Sequence, residues 1–163
     1  MLQIGLRCTA VLTCGIFFGF PMCADTITPE HRSRIMSKIK GKNTKPEMIV
    51  RSLCHRMGLR FRLHSRDLPG TPDLVFPKHR QCIFVHGCFW HQHPNCKRAS
   101  MPSSRIEFWQ PKLMKNVVRD FEAQQALVAL GWSVTVIWEC QTKNRDTLRD
   151  DIQKTFNTKK PSP

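Results

Sequence analysis

The chain predicts an α/β domain in which a mixed β-sheet is covered by helices. Two segments carry the sheet. Residues 81–86 hold the near-continuous apolar run Cys82-Ile83-Phe84-Val85, as a central strand buried on both faces does. Residues 132–138 are β-branched and aromatic, the composition of a second strand. Helical signatures with recognisable caps lie before, between and after them.

Taken in order, a first helix is expected over 26–39, opened by Thr28-Pro29-Glu30 with a capping hydroxyl and then proline at the first helical position. Gly41-Lys42-Asn43 breaks it. Thr44 and Glu47 are three apart, a capping box, and start a second helix with Ile49, Val50, Leu53, Cys54 and Met57 as its apolar stripe. Gly58 ends that helix. Residues 59–63 alternate apolar and basic, a half-exposed strand. A loop rich in proline and glycine covers 64–72, a short strand 73–76 and a turn 77–80. Ser103-Ser104 can cap a helix reaching about Lys115. Another is expected from Asn116 to Leu130, with Met114, Val117, Val118, Phe121 and Val128 on its partly buried side. Gly131 stops it. After strand 132–138, a last helix is expected over 146–156 and a frayed basic tail over 157–163.

With 163 residues the chain can bury a sizeable core in one domain. Lys and Arg number 26 against 12 Asp and Glu, a formal charge of +14 that attracts polyanions, of which nucleic acid is the commonest. The basic residues are spread along the chain, which favours a charged face on a folded domain over a basic tail.

Eight cysteines would suit a disulfide framework in a secreted protein. The spacing Cys88-x4-His93-x2-Cys96 mixes thiol with imidazole, however, and metal ligation in a reducing compartment explains that better. Zinc takes four ligands and suits this donor set. Cys140, just past the strand that ends at Trp138, can supply the fourth and make the site structural. His91 competes with His93 for the imidazole position. In an extended loop the two would point to opposite sides, one to metal and one to substrate.

Upstream, Pro69-Gly70-Thr71-Pro72-Asp73 sets a carboxylate at the start of a strand. Cutting a phosphodiester needs a Lewis acid, an activated water and neutralisation of charge. Asp73 can hold magnesium, with a main-chain carbonyl from Phe84-Val85-His86 beside it. His86 and His91 flank that point, and a neutral imidazole can take a proton from water. Phe89 and Trp90 are consecutive, so in an extended loop they would not both face one core. With Trp109 they make a candidate wedge, and unstacking DNA costs least at a mismatch.

With those residues in hand, the chain resembles the very-short-patch repair endonucleases, the Vsr family. The likeness rests on Arg32-Ser33-Arg34-Ile35-Met36, on Asn43 through Glu47, on Leu68 through Asp73 and on Ile83 through His91. It continues in Glu107-Phe108-Trp109, Lys115-Asn116-Val117 with Asp120, and Gly131-Trp132 through Trp138-Glu139-Cys140. The resemblance implies a restriction-endonuclease-like fold with a structural zinc site. It implies nicking of one strand 5′ of the thymine in T:G mismatches left by deamination of 5-methylcytosine, the start of very short patch repair. It implies that Asp73 and the Val85 main-chain carbonyl hold Mg2+, that His91 activates water, and that His86, Asp120 and Glu47 support the site. Cys88, His93, Cys96 and Cys140 match structural Zn2+ ligands. Phe89, Trp90 and Trp109 match a ring wedge, and Met36 an apolar residue inserted from the other groove. General mismatch-repair proteins are implied as partners. The competing readings are a restriction-type endonuclease of the same fold and a zinc-dependent DNA-binding module without catalysis.

The N-terminus is read in that light. Residues 2–20 are apolar with Arg7 as the only charge, and Cys23-Ala24 follows, which resembles a signal peptide. Gly15 and Gly19 break it, and it is short for a membrane span. A start at Met22 is favoured, because a DNA repair enzyme has no work outside the cytoplasm. The expected layout is a leader-like or mis-started extension at 1–24, an endonuclease domain at 25–156 and the tail. The protein is expected to be cytoplasmic and nucleoid-associated, without a membrane partner. One wedge and one cut need no symmetry, so a monomer is expected.

Overall fold

The computed structural model describes residues 28–38 and 41–157. The expected leader and residues 158–163 of the tail lie outside the described residues. The chain divides between Met36 and Ser37 into two units. The first unit contributes α1 (Pro29–Ser37) up to Met36, and Thr28 Oγ1 accepts the His31 N–H at 3.3 Å, as a cap should.

The second unit holds α2 (Lys45–Arg56), β1 (Arg62–Leu63), β2 (Leu74–Phe76), β3 (Gln81–His86), α3 (Ile106–Ala129), β4 (Ser133–Trp138) and α4 (Arg145–Asn157). The strands lie in the order β1-β2-β3-β4. β1–β2 and β2–β3 are antiparallel, whereas β3 and β4 run parallel with Ile83 opposite Thr135 and Val85 opposite Ile137. Parallel neighbours need a long crossover, and the loop after β3 together with α3 supplies it.

Strand alternation divides the core between two faces of the sheet. Leu74, Phe76, Ile83 and Ile137 pack with Val50, Leu53 and Cys54 of α2 and with Leu148 and Ile152 of α4. Val75, Cys82 and Phe84 face the other way onto Leu127 of α3. Helices therefore cover both faces, as expected for an α/β domain.

The structure differs from expectation at three points. β1 pairs only at Arg62 and Leu63, because its register would carry residue 60 past Phe76 onto Pro77, which has no N–H to give. The two helices expected across 103–130 are one, α3. It starts from Arg105 in the left-handed region, with no capping side chain. Asn116 does not break it, because its side chain donates to the Trp90 carbonyl at 3.1 Å. The third difference is the facing of α3. Met114, Val118, Phe121 and Val128, expected on the partly buried side, are all exposed, while Trp109, Leu113 and Leu127 are buried.

The turn before β2 depends on Gly70. Its φ is +71°, and a Cβ there would sit 2.6 Å from Ala123 Cβ of α3. Only glycine lets the backbone pass this close, and the turn it makes delivers Asp73 to the end of β3.

Candidate active site and metal cluster

An open cleft of about 500 Å3 brings Glu47, Asp73, Val85, His86, His91 and Asp120 together. Each arrives from a different local device. The capping box fixes Glu47: Thr44 Oγ1 donates to its Oε1 at 2.8 Å, and the Asn43 N–H donates to Oε2 at 2.9 Å. Asp73 stands one residue before β2, and the Val85 N–H donates to its Oδ2 at 2.8 Å. A strand residue presents its N–H and C=O on the same side, so the Val85 carbonyl faces the edge where Asp73 lies. Burial pushes the Asp73 carboxyl above its ordinary 3.8, with Glu47 adding to the rise and Val85, His64 and Arg51 opposing it. A carboxylate short of compensating charge in an open cleft fits a hard divalent cation.

His91 and Asp120 form a dyad. The His91 Nδ1 and Asp120 Oδ2 are hydrogen-bonded. Burial raises Asp120, but the bond from His91 and the positive groups around it prevail and hold its carboxyl below 3.8. His91 also stacks on His86, with ring centroids 3.9 Å apart. Behind them the Trp138 ring meets His86 edge-on at 5.5 Å and stacks on His93 at 4.2 Å. Trp138 thus lies between the cleft and the thiol cluster.

In that cluster, ligand atoms of Cys88, His93, Cys96 and Cys140 all lie within 4.8 Å of one another. His93 Nδ1 is 3.4 Å from Cys140 Sγ and 3.7 Å from Cys88 Sγ. Tetrahedral zinc bonds imply an N···S edge of about 3.6 Å, so the donors fit that ion. Burial pushes the Cys88 thiol up to about 12, a cost that a bound cation removes. The Arg98 backbone N–H lowers Cys96. His91 lies apart from the cluster, paired with Asp120. Cys54 and Cys82 are buried in the core, with thiols raised to about 12 and about 11 by that burial, and take no part.

The ring residues gather, but not as an extended loop would hold them. Residues 88–92 form turns, with His91 N–H donating to Gly87 O at 3.1 Å and His93 N–H to Cys88 O at 3.0 Å. Phe89 therefore meets Trp90 edge-on at 5.1 Å and Trp109 at 5.5 Å. Trp109 is only 7 % exposed, whereas Phe108, which ring counting passed over, is 46 % exposed and touches Trp109 edge-on. Lys112 Nζ lies 5.2–5.9 Å over Phe108, Trp109 and Trp90. Met36 is exposed on α1, in the other unit.

Acid should weaken the fold through His86. Burial, aided by the His91 ring, lowers its imidazole from 6.5 to about 4. Between those values the unfolded chain holds a proton there and the folded chain does not, so stability falls as pH is lowered through that window. The gap corresponds to roughly 3 kcal/mol at most. Asp73 opposes this, since a raised carboxyl favours the folded state as it protonates. Comparing wild type with His86→Gln in urea, at neutral pH and near pH 4, isolates the imidazole. The variant should lose less stability on acidification, and an equal loss in both proteins would contradict the assignment.

Residues 24–98 match the family profile described as DNA mismatch endonuclease Vsr. The chain is 49 % identical to the type II nicking enzyme V.XorIIP of Xanthomonas oryzae pv. oryzae over 124 residues, covering 76 % of this chain and 90 % of that one. Against the DNA mismatch endonuclease Vsr of Escherichia coli it is 41 % identical over 128 residues, 78 % of this chain and 81 % of the other. Against the type II nicking enzyme V.NmeAIP of Neisseria meningitidis it is 38 % identical over 130 residues, 80 % and 92 % of the two chains.

Proposed function

Because this chain belongs to the Vsr family of DNA mismatch endonucleases, we propose that it nicks one DNA strand 5′ of the thymine in a T:G mismatch. Such mismatches arise when 5-methylcytosine deaminates, and the nick would start very short patch repair. The observation that carries the reading is one cleft with a hydrogen-bonded carboxylate on one side and a histidine–aspartate dyad on the other. The four-stranded mixed sheet with helices on both faces suits a restriction-endonuclease-like fold.

Asp73 and the Val85 carbonyl would hold Mg2+, an oxygen donor set of the kind that ion prefers. Bound there, magnesium supplies Lewis-acid polarisation of the phosphate and acidifies water. His91 gives its Nδ1 proton to the bond with Asp120, which leaves Nε2 free to accept a proton from the attacking water. Asp120 keeps its charge and stabilises the imidazolium that results. His86 stays neutral behind His91 and fixes the tilt of its ring. Cys88, His93, Cys96 and Cys140 would hold a structural Zn2+ that braces the loop carrying His91. Phe89, Trp90 and Trp109 would form the wedge. Buried Trp109 braces it, and Trp90 and exposed Phe108 are the surfaces left to meet unstacked bases. Arg105, over the Phe108 ring, and Lys112 place positive charge where phosphates must pass. Met36 would enter from the opposite groove.

The substrate is then double-stranded DNA with a T:G mismatch, and general mismatch-repair proteins are the expected partners of a monomer acting in the cytoplasm. Among the described residues no helix is long and apolar enough to cross a membrane. The test is a duplex with one T:G mismatch in a CC(A/T)GG-like context, incubated with protein and magnesium beside its matched counterpart. A single nick 5′ of the thymine, absent from matched DNA, is the expected result. Equal cutting of both duplexes would favour a restriction-type enzyme instead. Binding without cutting would favour a non-catalytic module.

A further inference from the structure

Beside Asp73 lies a layer of polar groups, from Glu47 through Arg51 to His64, to which the proposed cutting steps assign neither a proton nor a metal. Glu47, His64 and Asp73 bring ligand atoms within 4.8 Å of one another, which resembles a further cation site. The site is already filled by the side chain of Arg51. Its Nη2 donates to Glu47 Oε2 at 2.9 Å and lies 2.8 Å from His64 Nε2, and its Nη1 donates to Asn43 Oδ1 at 2.6 Å. Both Glu47 oxygens are taken as well, by the Asn43 and Thr44 backbone N–H groups, the Thr44 hydroxyl and Arg51. A positive guanidinium at this spacing opposes a metal ion.

The same contacts fix the tautomer of His64. Arginine can only donate, so His64 Nε2 must be the acceptor, and the single proton of the neutral ring sits on Nδ1. That Nδ1 faces Asp73 Oδ1 at 3.7 Å, while the His64 backbone N–H donates to the Asp73 carbonyl at 3.4 Å. His64 itself is held at φ 45°, an uncommon conformation for a residue other than glycine, stabilised by the contacts at both ends of its ring. Val85 N–H fixes one Asp73 oxygen, and His64 faces the other.

We infer that His64 is a positioning residue. Through the chain Glu47–Arg51–His64 it sets the orientation of the Asp73 carboxylate and so the strength with which that carboxylate takes a divalent cation. Arg51 balances the charge of Glu47, so the charge on Asp73 is left for the cation. Outer groups that orient a ligand commonly change metal affinity by about 10- to 100-fold. The inference rests on the reading of Asp73 as a magnesium ligand.

The test uses the full chain with His64→Ala and His64→Gln. A glutamine amide can donate to Asp73 and accept from Arg51, so it restores both contacts that alanine removes. Two quantities are read: the magnesium concentration for half-maximal nicking, and Mn2+ binding to the protein followed by electron paramagnetic resonance. His64→Ala should raise the magnesium requirement and weaken Mn2+ binding by about tenfold each. His64→Gln should recover most of both losses, with the thermal midpoints of the two variants alike. The inference is overturned if alanine leaves both quantities at the wild-type level, or if glutamine is as defective as alanine. Asp73→Asn serves as the control for the underlying reading. If it leaves Mn2+ binding intact, the metal assignment of Asp73 fails, whatever His64 does.

Discussion

Asp73→Ala should lower nicking of a T:G duplex by about a thousandfold or more, roughly 4 kcal/mol of transition-state stabilisation. No neighbour can take over. Glu47 has all of its oxygens engaged by hydrogen bonds, and Asp120 is tied to His91. The fold should survive the change. Burial makes the ionised Asp73 carboxylate costly, so its removal relieves a desolvated charge, although it leaves the Val85 N–H without its acceptor. Affinity for the duplex should hold or rise, because a negative charge leaves a surface that approaches phosphates. Nicking rates at saturating protein and a binding titration on the same duplex separate the two effects. Retention of a tenth or more of the wild-type rate would remove Asp73 from its assigned role.

The second large effect is expected at Cys140. It follows β4, whereas Cys88, His93 and Cys96 belong to the loop after β3, so a metal held by all four would tie two segments far apart in sequence. Cys140→Ser should abolish binding of one zinc per chain and cost at least about 3 kcal/mol, near the upper range for single substitutions that remove a metal. For a chain of this size that lowers the thermal midpoint by roughly 6–12 °C. Nicking should fall as well, since the untied loop carries His91. Stripping the wild-type protein with a chelator should give the same state. Zinc with magnesium should restore it, and magnesium alone should not. A Cys140→Ser protein that keeps its zinc and its midpoint would contradict this account.

Much of the scaffold was legible because its signals are local. The Thr44–Glu47 capping box and the apolar run of β3 each declare an element within a few residues, and both form as read. The facing of α3, rotated by about one residue (~100°) from the expected stripe, shows where local signals mislead. Its inner face runs Trp109, Leu113, Asn116, Asp120, Ala123 and Leu127, a good helical spacing with two polar members. Those polar residues face Trp90 and His91 and interrupt the stripe that hydrophobic periodicity looks for, and the exposed Met114, Val118 and Phe121 supplied a cleaner but false one. Arg51 and His64 were missed for a different reason. They stand 13 residues apart with no spacing rule between them, and only the approach of the turn before β2 to α2 makes them partners. Trp138 read simply as a strand residue, since nothing in sequence says that two imidazoles from the preceding strand and loop flank its ring.

The turned loop after β3 also bears on which in-frame insertions and deletions the gene can carry. Surface loops usually absorb changes of length. Here His86 and His91 face the cleft, Cys88 and His93 face the thiol cluster, and Phe89 and Trp90 join the rings between them. One codon more or fewer before His93 would exchange those destinations and disable both sites together. Pro94 and Asn95 are exposed and form the turn that the Cys96 N–H closes on the His93 carbonyl at 3.3 Å, with Asn95 at φ 57°. An added or lost residue should therefore be tolerated best in that exposed turn, and the spacing from His86 to His93 is the part that drift cannot stretch.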